Sequence, residues 1–265
     1  MLGTLIKHEF KNTWMIMTLI CSVTIAIGLV GGLFLRYLVA SESLDADIGE
    51  FLLAFGILGL VMVLSALNMA TVIYLVVHYY KSLYTSQGYL SFTLPASITE
   101  VVSSRMIVGC AWSALVSLSM GLCIFALVAI PGGLPYVKEF ADELMSVSED
   151  YNIASLAIQC GLTWILRSFA SLMTFFFCIS IGQLWSKHKI LGAVLCYFAT
   201  SFVLMIVSFS INYGNLFFSP ESLAGYDGFS YLTDMLGKTL IYSLSLIAIF
   251  YGGSIFTSNK QLNLD

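Results

Sequence analysis

The sequence predicts an all-α integral membrane protein of about six transmembrane helices. Three observations carry that expectation. Hydrophobic residues make up 59% of the 265-residue chain and charged residues only 10%. Mean hydropathy is +0.93. The apolar residues also collect in six long runs instead of alternating. Soluble domains carry roughly 25% charged residues, so this chain lacks the charge to coat a water-facing surface. In hydrocarbon a helix satisfies its own backbone, whereas barrel strands would show a two-residue alternation that is absent here. The eleven Lys and Arg are scattered and form no basic cluster, so no nucleic-acid partner is expected.

The runs cover 14–35, 51–77, 106–130, 153–184, 190–211 and 239–256. Each exceeds or approaches the roughly 20 residues that cross a 30 Å core as helix. All four prolines (Pro95, Pro131, Pro135 and Pro220) fall between runs, where a broken backbone does no harm. The run 153–184 is long for one span, and the sequence leaves open whether it is one long helix or a broken one. The first run is longer than the roughly 7–15 residues of a signal-peptide core and is expected to be a retained span. The whole chain, 1–265, is expected to form a single transmembrane domain.

Charge sets the orientation. Lys7, Lys11, Lys81, Arg105, Lys187, Lys189 and Lys260 share one side, and only Arg36, Lys138 and Lys238 lie on the other. The positive-inside rule makes the first side, with both termini, cytoplasmic. Most acidic residues collect on the opposite side, Glu42, Asp45, Glu139, Asp142, Asp150, Glu221 and Asp234 among them.

Several chemical signals fail on inspection. His8-Glu9 begins like a zinc-protease HExxH, but Asn12 stands where the second histidine belongs. Gly237-Lys238-Thr239 imitates the end of a phosphate-binding loop, yet its leading glycine position is Leu232. The six cysteines all lie inside runs and include no CxxC pair, so they read as packing thiols, and no metal site is expected. No run contains Asp or Glu, which argues against a proton relay and against catalysis by this chain.

Four features remain. Residues 1–13 mix Leu2, Leu5, Ile6 and Phe10 with Lys7, His8, Glu9 and Lys11, the pattern of an interfacial helix on the cytoplasmic surface. The cytoplasmic loop from His78 to Arg105 is longer than a hairpin needs and rich in aromatics. Its first part, 79–85, extends the second span or forms a short helix of its own, with Gly88 suited to a left-handed helix end. Ser97-Ile98-Thr99-Glu100 has the spacing of a capping box that starts the third span. Between them Tyr84, Tyr89, Leu90, Phe92 and Leu94 read either as a protein-docking surface or as an aromatic belt in the headgroups. The third feature is Arg167, inside the longest run, which faces protein, water, a lipid headgroup or a substrate. Gly28-x-x-x-Gly32 and Ala66-x-x-x-Ala70, with Asn68 between the alanines, are the fourth. Such small-residue faces let helices approach closely within one chain or between protomers, and Asn68 joins Arg167 as a candidate substrate or lipid contact.

The N-terminal LIKHEFK, the six runs and the loop YKSLYTSQGYLSFTLPAS resemble the type-2 permease subunits of bacterial ATP-binding cassette exporters, in particular the small permeases of Firmicutes. In these the loop reads GYL-x-FTLP-x-S, matched here by Gly88-Tyr89-Leu90-Ser91-Phe92-Thr93-Leu94-Pro95-Ala96-Ser97. The resemblance implies a pair of permease protomers in the bacterial plasma membrane. It also implies a separate cytoplasmic ATP-binding subunit that carries ATP and magnesium and docks on a coupling helix between spans two and three. That would place the ATPase contact at Tyr79, Tyr80, Lys81, Tyr84, Gly88, Tyr89, Phe92 and Pro95, with no cofactor in this chain. The expected cargo is amphipathic, an antimicrobial peptide or a lipid-like molecule. A membrane immunity or sensor subunit that binds an antimicrobial without transporting it is the alternative.

The orientation is open to a direct test. In a cysteine-free background, Ser146→Cys should react with an impermeant maleimide on intact cells, and Ser86→Cys only after permeabilisation. The reverse pattern would overturn it.

Overall fold

The computed structural model describes residues 2–40, 46–85, 97–135, 138–139, 142, 153–185, 188–218 and 228–262. They include six long α-helices: α1 Leu2–Ala40, α2 Ala46–Tyr84, α3 Ile98–Ala129, α4 Ile153–Gly182, α5 Lys189–Phe218 and α6 Gly228–Leu262. All six are long and apolar enough to cross a bilayer. The chain is an all-helical, multi-pass membrane protein. Each apolar run of the sequence falls on its own helix, and the long run beginning at Ile153 is one unbroken helix.

Two local expectations resolve in favour of continuity. Residues 2–13 are the first turns of α1, not a separate interfacial helix. No glycine or proline stands between Thr4 and Ile27, so nothing ends a helix where the apolar run begins. Likewise residues 79–84 continue α2. With 39 residues each, α1 and α2 are about 58 Å long at 1.5 Å per residue and outreach a hydrocarbon core of about 30 Å.

The chain divides into two compact units. The second comprises residues 10–75 and 111–150. Here the Gly28–Gly32 face of α1 packs on α3: a Cβ added at Gly28 would stand 2.8 Å from Cys123 Cα, and one at Gly32 3.0 Å from the Ala126 carbonyl oxygen. The buried Thr13 accepts a 2.8 Å hydrogen bond from Trp112 Nε1, and the Trp112 ring stacks on Phe10 with centroids 4.5 Å apart. Ala66, Asn68 and Ala70 on α2 are exposed within this unit.

The first unit comprises residues 1–9, 76–110 and 151–265. Its centre is α4, which packs most extensively on α6 and next on α5. Half of the most apolar stretch of α4 is buried, against 6% for α5, whose Leu195, Phe198 and Phe202 face outward. The end of α4 and the start of α5 approach closely, with Gly182 so near Ala193 that a Cβ would meet its backbone nitrogen at 2.6 Å. Hydroxyls occupy the interior and return their protons to the preceding turn, as Thr174 does to the Ala170 carbonyl and Ser254 to that of Phe250, at 2.8 and 2.7 Å. Large apolar side chains face outward because acyl chains are as apolar as leucine.

The α1–α3 contact predicts a position-specific cost. Gly28→Ala should destabilise the protein by about 1–3 kcal/mol, because the Cys123 backbone, which cannot turn aside as the Cys123 thiol can, meets the new methyl. Gly59→Ala, with nothing within 4 Å of its added Cβ, should cost nothing. Thermal unfolding of both variants in detergent checks this, and equal melting temperatures would remove the contact.

Candidate functional site: the ends of α2 and α3 and the Arg167 cavity

The sequence directs attention to the segment between α2 and α3. Gly88, Tyr89, Phe92 and Pro95 lie outside the described residues, as does any separate coupling helix between the spans. What is described is the pair of helix ends from which the segment leaves and to which it returns.

The end of α2 turns its tyrosines inward because the neighbouring faces of α4 and α6 offer hydroxyl partners in an apolar setting. Tyr79 is 1% exposed, stacks on Phe176 of α4 at 4.2 Å between centroids, and has its hydroxyl 3.4 Å from Ser180 Oγ. Tyr84 donates to the same Ser180 Oγ at 3.1 Å and lies 3.3 Å from Ser258 Oγ on α6. Ser180 donates in turn to the Phe176 carbonyl at 3.0 Å. Tyr79 is thus part of the interior of the unit, Tyr80 is half-buried, and Lys81 is exposed. A buried tyrosine hydroxyl without a partner costs about 1–3 kcal/mol, so this arrangement fixes the rotation of the last turn of α2.

The start of α3 is fixed as firmly. Ser97 and Glu100 form the expected capping box: the Glu100 amide donates to Ser97 Oγ at 3.3 Å, and the Ser97 amide to Glu100 Oε2 at 3.2 Å. Ser103, buried, is 2.8 Å from the Tyr251 hydroxyl of α6.

A charged cluster joins these ends to the first turns of α1. Glu9 Oε1 lies 2.7 Å from His78 Nε2 and 3.6 Å from Arg105 Nε, with the Glu9 and Arg105 side chains 16% and 8% exposed. The Arg105 guanidinium also donates to the Val101 carbonyl at 3.4 Å. One carboxylate thus balances an arginine held nearly out of water. Sequence reasoning placed Glu9, His78 and Arg105 at span ends without bringing them together. The available signal was that Glu9 is the one acid before the first apolar run and that His78 and Arg105 bracket the loop on the same side.

The other two candidates separate. Asn68 is exposed on α2 in the second unit. Arg167 stands near the middle of α4 on a cavity of about 470 Å³ among α4, α5 and α6, lined also by Ser171, Thr174, Ser201, Ser208 and Tyr242. A second cavity of about 330 Å³ borders the first at Tyr197 and is walled by apolar side chains such as Val76, Ile179, Ile190 and Val194. Among the described residues no three His, Cys, Asp or Glu side chains converge as metal ligands.

Comparison of the chain with protein-family models, curated proteins and solved structures gives no significant match.

Removing the Glu9 charge should expose the dependence of the cluster on it. Glu9→Gln keeps the shape but leaves Arg105 buried without its counter-charge, a loss of about 3 kcal/mol. The melting temperature in detergent should fall, and Glu9→Gln combined with Arg105→Met should recover most of the loss. Unchanged melting of the single variant would show that the cluster holds nothing in place.

Proposed function

We propose that this chain is the membrane-spanning permease subunit of an ATP-binding cassette exporter. It lies in the bacterial plasma membrane with both termini in the cytoplasm and works as paired protomers with a separate ATPase that binds ATP and magnesium. The observation that carries the reading is the segment Gly88-Tyr89-Leu90-Ser91-Phe92-Thr93-Leu94-Pro95-Ala96-Ser97, which resembles the ATPase-docking loop of type-2 permeases. Six spans, and a sequence without a phosphate-binding loop, agree with a subunit whose energy comes from another polypeptide.

The geometry supports a coupling route. Both ends of the segment are anchored: Tyr79 and Tyr84 tie α2 to Ser180 of α4 and Ser258 of α6, and Ser103 ties α3 to Tyr251 of α6. A force on residues 86–96 is delivered to α4 and α6 through buried hydroxyls and a stacked ring pair. In this reading Tyr89 and Phe92 are the docking anchors, with Tyr80, Lys81, Gly88 and Pro95 around them, and Tyr79 and Tyr84 transmit. The cargo is amphipathic.

Anchors and transmitters should fail differently. Tyr89→Ala or Phe92→Ala should lower recovery of the co-expressed ATPase about thirtyfold or more, the loss of one buried aromatic anchor of about 2 kcal/mol, with the permease still eluting as a single species. Lys81→Ala should change recovery little. Tyr84→Phe should leave docking intact but reduce cargo-stimulated ATP turnover. The chain alone should hydrolyse no ATP. Full ATPase recovery with both aromatic variants, or hydrolysis by the isolated chain, would refute the assignment.

A further inference from the structure

The cavity at Arg167 combines four properties. A guanidinium stands about 21 Å along α4 from Ile153 and about 22 Å from Gly182, taking 1.5 Å per residue, on a helix apolar enough to span. A charge there needs compensation. No hydrogen bond or ion pair to Arg167 exists among the described residues, and no acid stands anywhere from Ile153 to Gly182.

The polar character also continues past the arginine. Ser171 and Thr174 follow Arg167 at the four- and seven-residue spacing of a single helix face, and Ser201 and Ser208 add hydroxyls from α5. An arginine that only reaches up to the headgroups needs no such lining. Some of these hydroxyls are already committed: Thr174 donates to the Ala170 carbonyl, Ser243 to Thr239, and Tyr242 to Leu204, at 2.8, 2.8 and 3.3 Å. Ser171 and Ser201 make no hydrogen bond among the described residues. With Arg167 they leave a fork of N–H donors and two O–H donors unspent around one space, the donor set that matches a phosphate or carboxylate.

The third property is the neighbouring cavity. Tyr197 lines both spaces and stacks on Phe175, centroids 4.4 Å apart, and Phe175 lines the second space. That space is apolar apart from a few groups, among them the Gln183 side chain, whose Nε2 is buried and has no hydrogen-bond partner among the described residues. An anion-matching compartment and an apolar compartment therefore meet at a single aromatic pair. Size is the fourth: each falls within the range of roughly 300–1,000 Å³ that holds small ligands.

We propose that this pair of cavities binds an anionic amphiphile, with its phosphate or carboxylate on Arg167, Ser171 and Ser201 and its acyl chain passing the Tyr197–Phe175 pair into the apolar space. The binding site stands on this geometry alone. Its use as a cargo site rests on the permease reading. The anionic amphiphile is either a phospholipid of the surrounding bilayer or a molecule arriving from solution, and the acid-and-chain chemistry is the same for both.

The test uses the full chain, reconstituted in vesicles of equal phosphatidylglycerol and phosphatidylcholine, extracted gently and weighed by native mass spectrometry with its retained lipids. The wild-type chain should retain phosphatidylglycerol over phosphatidylcholine by about tenfold, the value of one charge-assisted contact. Arg167→Ala should abolish the preference, and Arg167→Lys should keep part of it. Ser201→Leu, which fills the cavity without touching the charge, should lower retention even if the alanine variant fails to fold. Dodecyl phosphate added from water separates the two sources: displacement of the retained lipid identifies a site open to arriving amphiphiles, and persistence identifies a bilayer lipid, each with the anionic preference intact. Equal retention of the two lipids by the wild-type chain, or an unchanged preference in Arg167→Ala together with unchanged retention in Ser201→Leu, overturns the site. No ATPase or nucleotide enters the measurement, so its failure leaves the permease reading standing, and a missing ATPase leaves the site standing.

Discussion

A bilayer interior offers the chain no hydrogen bonds and no hydrophobic reward for bringing helices together, and the structure follows from that pair of absences. The first absence forces unbroken helices, because every amide must find its carbonyl within the same segment. It also forces interior hydroxyls such as Thr24 and Thr174 to turn their protons back onto the preceding turn. The second absence leaves shape and polarity to hold helix against helix. Where α1 meets α3, shape does most of the holding: glycines at Gly28 and Gly32 remove the side chains that would keep the backbones apart, and one hydrogen bond from Trp112 to Thr13 adds to it. At the ends of α2 and α3 polarity does it, through Ser180, Ser258, Tyr251 and Glu9.

These two modes are distributed unevenly, and the unevenness has a physical meaning. The small-residue contact is continuous and tolerates no added methyl. The polar contacts are discrete, and one group of them lies at the helix ends where the chain leaves α2 at Tyr84 and re-enters at Ser97, while others, such as Trp112 to Thr13 and Tyr242 to Leu204, join helices elsewhere. A discrete hydrogen bond has a made and an unmade state, whereas a packed seam has only its one register.

Much of the fold was legible because a spanning helix needs about twenty apolar residues, and a run that long is visible without any knowledge of its neighbours. The capping box at Ser97 was legible for the opposite reason, since it is wholly local. The rotation of each helix was not legible. These helices are apolar on nearly all sides, so no periodicity marks the inner face, and Tyr79, counted among the docking aromatics, stacks on Phe176 inside the first unit. Arg167 stood out as a lone charge, but the hydroxyls that give it a setting come from three helices and share no pattern along the chain. Glu9 was read with its basic neighbours as a flank, because its partners lie about 70 and 100 residues away in sequence and only folding brings them near.

The hydroxyls beneath Tyr84 have an orientation as well as a position. Ser180 spends its single proton on the Phe176 carbonyl, so toward both tyrosines it acts only as an acceptor. Tyr84 in turn gives its proton to Ser180, and the proton shared with Ser258 must then come from Ser258. The series runs one way, from Ser258 through Tyr84 and Ser180 to a main-chain oxygen of α4, and each member polarises the next. It is a dipole with a fixed sense, its negative end at the Ser258 oxygen on α6 and its positive end inside α4, and the terminal carbonyl, which can only accept, keeps it from reversing.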